Sequence, residues 1–435
     1  MPQELVQLNT RRIPVRVLLL VLLVAAAVWS YYVFRWYAGN TMAEYFDTSE
    51  NNLHVAETAA SLAPHDPLTR WRLAQATQKN LPLDQQSQAI AEYEKAVSLS
   101  PNDYRFWMAL GTASEQAGDR VKAERALKQA VALAPAYAYP HWYLGNLLLR
   151  SGRYDEAFAE LRVASEADPD FQPQQFNLIW EIYASDPEGL KKAVGESSLA
   201  KSKFALYLLG RQRYEEGLRL WESLSVGDKQ ANRQTAEAIV NNLVTTWRYH
   251  DALKVWNDMA ANEKLRAEVG RVFDPGFEEA NSYGPEAVFG WQVAQVQQVQ
   301  VGIDPDKIHG GITSLRLAFH VRSNIEDIKV WQLVPVEANT EYDFEFYVAT
   351  EKLETGGPTL VQIVDPTTSG VLVTSPGAAG GTSDWTPVTL TFKTGDKTEA
   401  VLIRIVRPSC GTKEQPVCPI FGSVWYDDFS IKRRG

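Results

Sequence analysis

The sequence predicts a multidomain α plus β chain: a single transmembrane helix, an all-α solenoid, then an antiparallel β-sandwich. Three observations predict it. Val17–Phe34 runs 18 residues without a charge. Pro67, Pro101, Pro135 and Pro169 stand 34 residues apart, and Ala89, Ala123 and Ala157 keep step with them, as do Ala96, Ala130 and Ala164. From about Arg271 the apolar residues leave helical spacing for alternation.

The uncharged run reads VLLLVLLVAAAVWSYYVF and as a helix would be about 27 Å long, close to the thickness of a hydrocarbon layer. Arg11, Arg12 and Arg16 precede it, while Glu44, Asp47 and Glu50 follow Arg35. That bias predicts a cytoplasmic tail at 1–16, a transmembrane helix at 17–36 and the bulk of the chain outside, as in a single-pass inner-membrane protein of a bacterial envelope. Trp29, Tyr31, Tyr32, Trp36 and Tyr37 gather at the far end as an interfacial belt would. A cleaved signal peptide is the competing reading, because Ala25, Ala26 and Ala27 supply a small-residue cleavage site. The aromatic residues directly after that site, and the length of the run, favour retention.

Between 47 and 262 apolar residues recur at helical spacing, broken by short turns. A fixed period of 34 marks stacked helical hairpins, each too small to bury its apolar face alone. The best units lie within 70–169; at 170–262 the period decays, although RYEEGLRLW from Arg213 and RYHDALKVW from Arg248 echo RYDEAFAEL from Arg153. Trp107, Leu110, Gly111, Gly118, Ala123, Leu127, Ala130 and Pro135, then Leu144, Gly145, Gly152, Ala157, Leu161, Ala164 and Pro169, occupy marker positions, and the stretch resembles tetratricopeptide repeats. The small residues let paired helices approach closely, and proline ends each unit.

In the resembled family one face of each first helix lines a concave groove that holds a peptide. The resemblance places Arg105, Met108, Thr112, Glu115 and Gln116, then Tyr139, Trp142, Asn146, Leu149 and Arg150, on that groove. Their mixture of aromatic, amide and charge lacks the dense basic clamp that a receptor for a terminal carboxylate needs. The plainer reading makes them a solvated inner face, or one packed on the last domain.

The domain expected at 271–435 alternates: Leu315, Leu317, Phe319 and Val321; Tyr342, Phe344, Phe346 and Val348; Val388, Leu390 and Phe392; Val401, Ile403 and Ile405. Glycine- and proline-rich joints separate the runs. FDPGFE from Phe273, GW at Gly290, SLRL from Ser314, WQLVPV from Trp331, NTEYDFEFYV from Asn339 and GSVWYDDFSI from Gly422 follow in order. That order resembles carbohydrate-binding modules of the galactose-binding-like jelly-roll class. Sugar binding needs aromatic faces with amides and carboxylates nearby, and Trp291, Trp331, Gln332, Tyr347 and Trp385 offer them. Several of these aromatics would belong to the core in this fold. Glu278, Asp427 and Asp428 stand where related jelly rolls hold a structural calcium, the one ion the resemblance implies; turn and strand-end charges facing water are the plainer alternative. Cys410 and Cys418 are the two cysteines, expected to pair outside the cytoplasm and contribute about 2.5 kcal/mol by loop closure.

The net charge of -10 argues against nonspecific affinity for nucleic acid. No H-E-x-x-H, G-x-S-x-G or phosphate-cradling glycine motif occurs, and no cofactor is expected. The expectation is a membrane-anchored envelope scaffold without enzymatic activity, in which the repeats bind a protein and the jelly roll contacts glycan, in assembly or export of a surface polysaccharide. The alternatives are a protein-assembly factor with a structural jelly roll, and a glycoside hydrolase using paired carboxylates.

Overall fold

A computed structural model of the chain describes residues 13–45, 52–80, 82, 86–260, 265–279, 287–294, 296, 299–320, 327–408, 410 and 418–434. Packing divides the chain into two compact units, Met1–Gly195 and Glu196–Gly435. The switch of apolar spacing near 271 therefore lies inside the second unit. Of the expected tail at 1–16, only 13–16 fall among the described residues, and Val321 falls outside them.

In the first unit α1 (Ile13–Glu44) is 32 residues long, and its apolar window has a mean hydropathy of 2.4 with none of it buried. By length and composition it is able to cross a membrane. Its last turns do something else. Arg35 Nη2 donates to Ser61 O at 2.8 Å, in α2 (Leu53–Leu62), and Asn40 Nδ2 to Asp66 Oδ2 at 2.9 Å. Ala43 is fully buried, and Arg72 Nε of α3 (Pro67–Asn80) caps its carbonyl at 3.1 Å. One unbroken helix thus carries both the exposed apolar surface and the first packed turns of the array.

The array continues with α4 (Ser87–Leu99), α5 (Tyr104–Gln116), α6 (Arg120–Leu133), α7 (Ala138–Arg150), α8 (Tyr154–Ala167), α9 (Gln172–Tyr183) and α10 (Pro187–Val194). Asp103 and Asp119 cap α5 and α6 by accepting from Arg105 N and Lys122 N. The repeat period is a packing code. A Cβ on Gly111 would lie 2.6 Å from Leu127 Cγ, and one on Gly145 2.8 Å from Leu161 Cγ, so paired helices meet only because both positions are glycine. Ala89, Ala96, Ala123, Ala130, Ala157 and Ala164 are all fully buried.

The second unit opens with α11 (Ser198–Gly210), α12 (Tyr214–Glu222), α13 (Val226–Ala231), α14 (Arg233–Thr245) and α15 (Tyr249–Asp258). The turns of the strict repeats need a left-handed residue, and Gly118 and Gly152 supply it with φ of 86° and 74°. In the decayed repeats Gln212 and Trp247 stand at the same place, each one residue before the Arg-Tyr pair, with φ of 61° and 63°. The left-handed turn is kept there without a glycine.

Ten strands follow: β1 (Trp291–Val293), β2 (Gln300–Asp304), β3 (Ser314–Phe319), β4 (Asp327–Pro335), β5 (Glu341–Thr355), β6 (Leu360–Asp365), β7 (Gly370–Thr374), β8 (Gly381–Lys393), β9 (Ala400–Val406) and β10 (Ile420–Arg433) among the described residues. They form two five-stranded sheets, in the orders β1-β4-β9-β6-β7 and β2-β3-β10-β5-β8. The paired strands run antiparallel. Leu315, Leu317 and Phe319, Tyr342, Phe344 and Phe346, and Val401, Ile403 and Ile405 meet in one core between the sheets, as their alternation requires. Cys410 and Cys418 form a disulfide where the chain crosses from one sheet to the other between β9 and β10.

The sheet containing β4 and β9 does not end at solvent. Leu333 and Ala400 share a second core with Leu253, Val255 and Met259 of the last helices and with Phe273 and Phe289. His250 N donates to Glu399 Oε2 at 3.3 Å, and Gly270 N to Pro335 O at 2.8 Å. A terminal repeat exposes an apolar face that must be covered, and here a β-sheet covers it.

Candidate functional site

In the first unit α3, α4, α5 and α7 build a groove of about 690 Å³. Four expected residues line it: Arg105, Met108, Thr112 and Tyr139. Glu115, Gln116 and Arg150 line an adjoining concavity of about 590 Å³ with Thr112. The other three do different work. Trp142 stacks on Phe171 with ring centroids 4.6 Å apart, Asn146 Nδ2 donates to Trp142 O at 2.8 Å, and Leu149 packs into the helical core.

The groove also uses Trp71, Gln78, Tyr93, Tyr104 and Tyr143, which the sequence reading did not include. Two were reachable, because Trp71 and Gln78 stand 34 residues before Arg105 and Thr112. Tyr93 is contributed by the second helix of its repeat, and nothing in the period marks it. The polar lining is tied together within the chain. Tyr93 Oη donates to Gln78 Oε1 at 2.7 Å, and Gln78 Nε2 to Gln116 Oε1 at 2.7 Å. Arg105 grips Asp103 through Nε and Nη2; this hydrogen bond holds the Asp103 carboxyl below its usual range. Arg150 Nε and Nη2 reach Glu115 at 2.7 and 2.9 Å. Burial raises the Tyr93 hydroxyl, so that ring stays neutral.

The sandwich offers two outer faces. On the sheet of β2, β3, β10, β5 and β8 lie Trp425, Tyr347 and Trp385, crossed by the β2–β3 connection. Lys307 Nζ lies 4.7 Å from the Trp425 ring centre, the His309 ring stacks on Tyr347 at 3.6 Å, and Trp385 Nε1 donates to Ile308 O at 2.9 Å. Carboxylates pin this strap. Asp427 Oδ2 accepts from His309 N and Gly310 N at 2.9 and 3.2 Å, while Glu278 accepts from Ile312 N and Thr313 N. His309 Nδ1 and Asp428 Oδ2 lie 2.6 Å apart. Burial pushes the Asp427 carboxyl upward in spite of its amide donors. Glu278 and Asp427, marked in the sequence for calcium, turn their oxygens to backbone N–H groups of the strap. Among the described residues no group of three or more His, Cys, Asp or Glu is arranged to hold a metal ion.

The opposite sheet carries a partly exposed polar line. Cross-strand register sets Gln292 beside Trp331, Trp331 beside Arg404, Arg404 beside Gln362, and Gln362 beside Thr374. Arg404 Nε and Nη2 both donate to Gln362 Oε1, at 3.0 and 2.8 Å. Five strands at about 4.8 Å spacing make this row roughly 19 Å long. Two expected sugar contacts are corrected by burial. Trp291 is fully buried with its Nε1 bonded to Asp274 O, and Gln332, also fully buried, closes both backbone groups of Phe273. Trp331 is half-buried and packs against the core shared with the last helices, on the same face as Leu333, whereas Tyr347 and Trp385 lie against the strap.

Comparison with known proteins bears mainly on the helices. Models described as tetratricopeptide repeat match residues 87–138 and 114–179. The small glutamine-rich tetratricopeptide repeat-containing protein 2 of Mycosarcoma maydis is 35% identical over 81 residues, 19% of this chain, which spans 23% of that relative's length. Among solved structures, a crystal structure of MamA overlaps 32% of this chain and 84% of its own, at 21% identity and a TM-score of 0.28. The CBM22-1 xylan-binding domain from Paenibacillus barcinonensis Xyn10C overlaps 38% of this chain and 97% of its own, at 15% identity and 0.25. The CBM22-1–GH10 modules of Clostridium thermocellum xylanase 10B give 38% and 29% at 16% identity and 0.26. At these TM-scores the structural overlaps carry no argument about function. The matched stretch of helices is made of tetratricopeptide repeats.

Proposed function

We propose that the chain is a membrane-anchored envelope scaffold without catalytic activity, whose repeat groove docks a partner protein and whose sandwich contacts glycan. The bulk of the chain would stand outside the cytoplasm, and assembly or export of a surface polysaccharide would use both contacts. The observation that carries this reading is the groove: an aromatic-lined concavity on repeats of a kind that serve protein interaction. The row Gln292–Trp331–Arg404–Gln362–Thr374 supports the glycan half through its amides, guanidinium and hydroxyl, which suit sugar hydroxyls, with the edge of a partly covered indole beside them. The strap favours a second reading, a protein-assembly factor with a structural sandwich, since it covers the other aromatic surface.

The test is photocrosslinking from native membranes with wild type, Tyr139→Ala and Trp331→Ala, alongside an array of envelope polysaccharides probed with the full chain. Protein capture lost with Tyr139→Ala and glycan binding lost with Trp331→Ala are the expected outcomes. Unchanged capture removes the groove, and an array without signal leaves the assembly-factor reading.

A further inference from the structure

The groove lining is unusual in what it leaves unspent. Its guanidinium groups are engaged by Asp103 and Glu115, and the Gln78 amide is used on both sides. Lys79 and Arg120 are exposed, where salt screens them. What remains are ring faces and phenolic donors. Among the described residues the hydroxyls of Tyr104, Tyr139 and Tyr143 meet no protein acceptor, and Tyr139 is 55% exposed.

We infer that the groove takes an uncharged, proline-rich extended segment of the partner protein, an inference that rests on the groove reading above. The complementarity is of two kinds. A lining whose guanidinium groups at Arg105 and Arg150 are already paired, with its other cations at the screened rim, matches a segment without charge. A lining that offers hydroxyl donors and flat rings matches a ligand whose backbone has acceptors and no N–H. Proline supplies both, because its nitrogen carries no hydrogen and its ring packs flat on an aromatic face. A polyproline II segment is also extended before it binds, so little chain entropy is lost on docking. Without breaking the Arg105–Asp103 or Arg150–Glu115 pair, an acidic segment would find only the exposed, screened Lys79 and Arg120.

The experiment uses the full chain in detergent micelles and fluorescein-labelled decaproline, read by anisotropy at 50 and 500 mM NaCl. A decamer of glutamate and serine and the neutral sugar xylohexaose serve as competing probes. Decaproline is expected to bind with an affinity that changes less than about twofold between the two salts. Tyr139→Phe combined with Tyr143→Phe removes only hydroxyls from exposed rings and is expected to weaken binding roughly tenfold. Tighter binding of the acidic decamer, falling with salt, overturns the inference, and so does displacement by xylohexaose alone. The two readings separate cleanly: if Tyr139→Ala blocks capture of the native partner but decaproline does not bind, the proline-rich segment is wrong and the groove stands. If Tyr139→Ala leaves native capture unchanged, both fall.

Discussion

The two outer faces of the sandwich began as the same kind of surface and ended differently. Each is the polar side of an antiparallel sheet with tryptophan on it. One is crossed by the strap from Asp304 to Thr313, whose backbone and side chains occupy Trp425, Tyr347 and Trp385. The other is covered at one end by the last helices, which reach as far as Trp331, and carries a partly exposed polar row beyond it. Exposed aromatic residues in a β-sandwich therefore do not identify a ligand face until one asks which loop or helix has already taken them.

The largest expected effect comes from the covered end of the helix-facing sheet. Leu333 is buried where the helices meet β4, so Leu333→Ala should cost about 3 kcal/mol through lost burial and the cavity left behind. Hydrogen exchange should rise together in Tyr249–Asp258 and Asp327–Pro335. Exchange that rises in the strand alone would mean that helices and sheet do not unfold as one body.

Opening the disulfide is next. Cys410→Ser with Cys418→Ser should lower stability by about 2.5 kcal/mol, the loop-closure value for a separation of 8 residues. Calorimetric melting with and without reductant measures the same quantity on the wild type. Buried Arg407, donating through Nε to Gly357 O at 2.6 Å, would then have to hold the crossing alone.

The strap should yield at a smaller cost. Glu278→Ala leaves the amides of Ile312 and Thr313 without their acceptor, about 2 kcal/mol if neither finds water. Exchange confined to 305–313 is the expected signature, with the polar row on the other sheet unchanged. Asp304 at the start of the strap and Asp427, which pins it from β10, should also respond oppositely to pH. Against the cost of burial, the Trp425 indole and nearby backbone amides hold the Asp304 carboxyl low, so its contribution is present above its unfolded value and lost as pH falls through the folded one. Asp427 is raised by burial, so its contribution is present at acid pH and lost as pH rises through its folded value. Melting midpoints of Asp304→Asn and Asp427→Asn between pH 3 and 6 should diverge from wild type with opposite slopes.

These surfaces also divide what a sequence can reveal from what it cannot. The groove was legible because its positions repeat: Arg105 and Tyr139 share a register, and Trp71 extends it backwards. The polar row was not legible, since Gln292 and Thr374 become co-linear only through four strand pairings, three of them between strands distant in sequence. Gln332 misled for a related reason. It sits beside Trp331 and looks like a sugar contact, yet alternation sends it inward, where the Phe273 backbone uses both of its polar atoms.

The smallest effect sharpens the comparison between strict and decayed repeats. Trp247 holds φ at 63° with 55% of its surface exposed, so it carries left-handed strain without the compensation of burial. Trp247→Gly should therefore stabilise the second unit by about 0.5 kcal/mol, after the added freedom of the unfolded chain is subtracted. Gly118→Ala is the mirror experiment. No atom lies within 4 Å of where its Cβ would sit, so any loss there, about 1 kcal/mol, comes from backbone conformation alone. If Gly118→Ala is neutral in thermal melting, turn geometry is not what the glycine at this position preserves, and the shared turn at Gln212 and Trp247 loses its meaning as a trace of the same repeat.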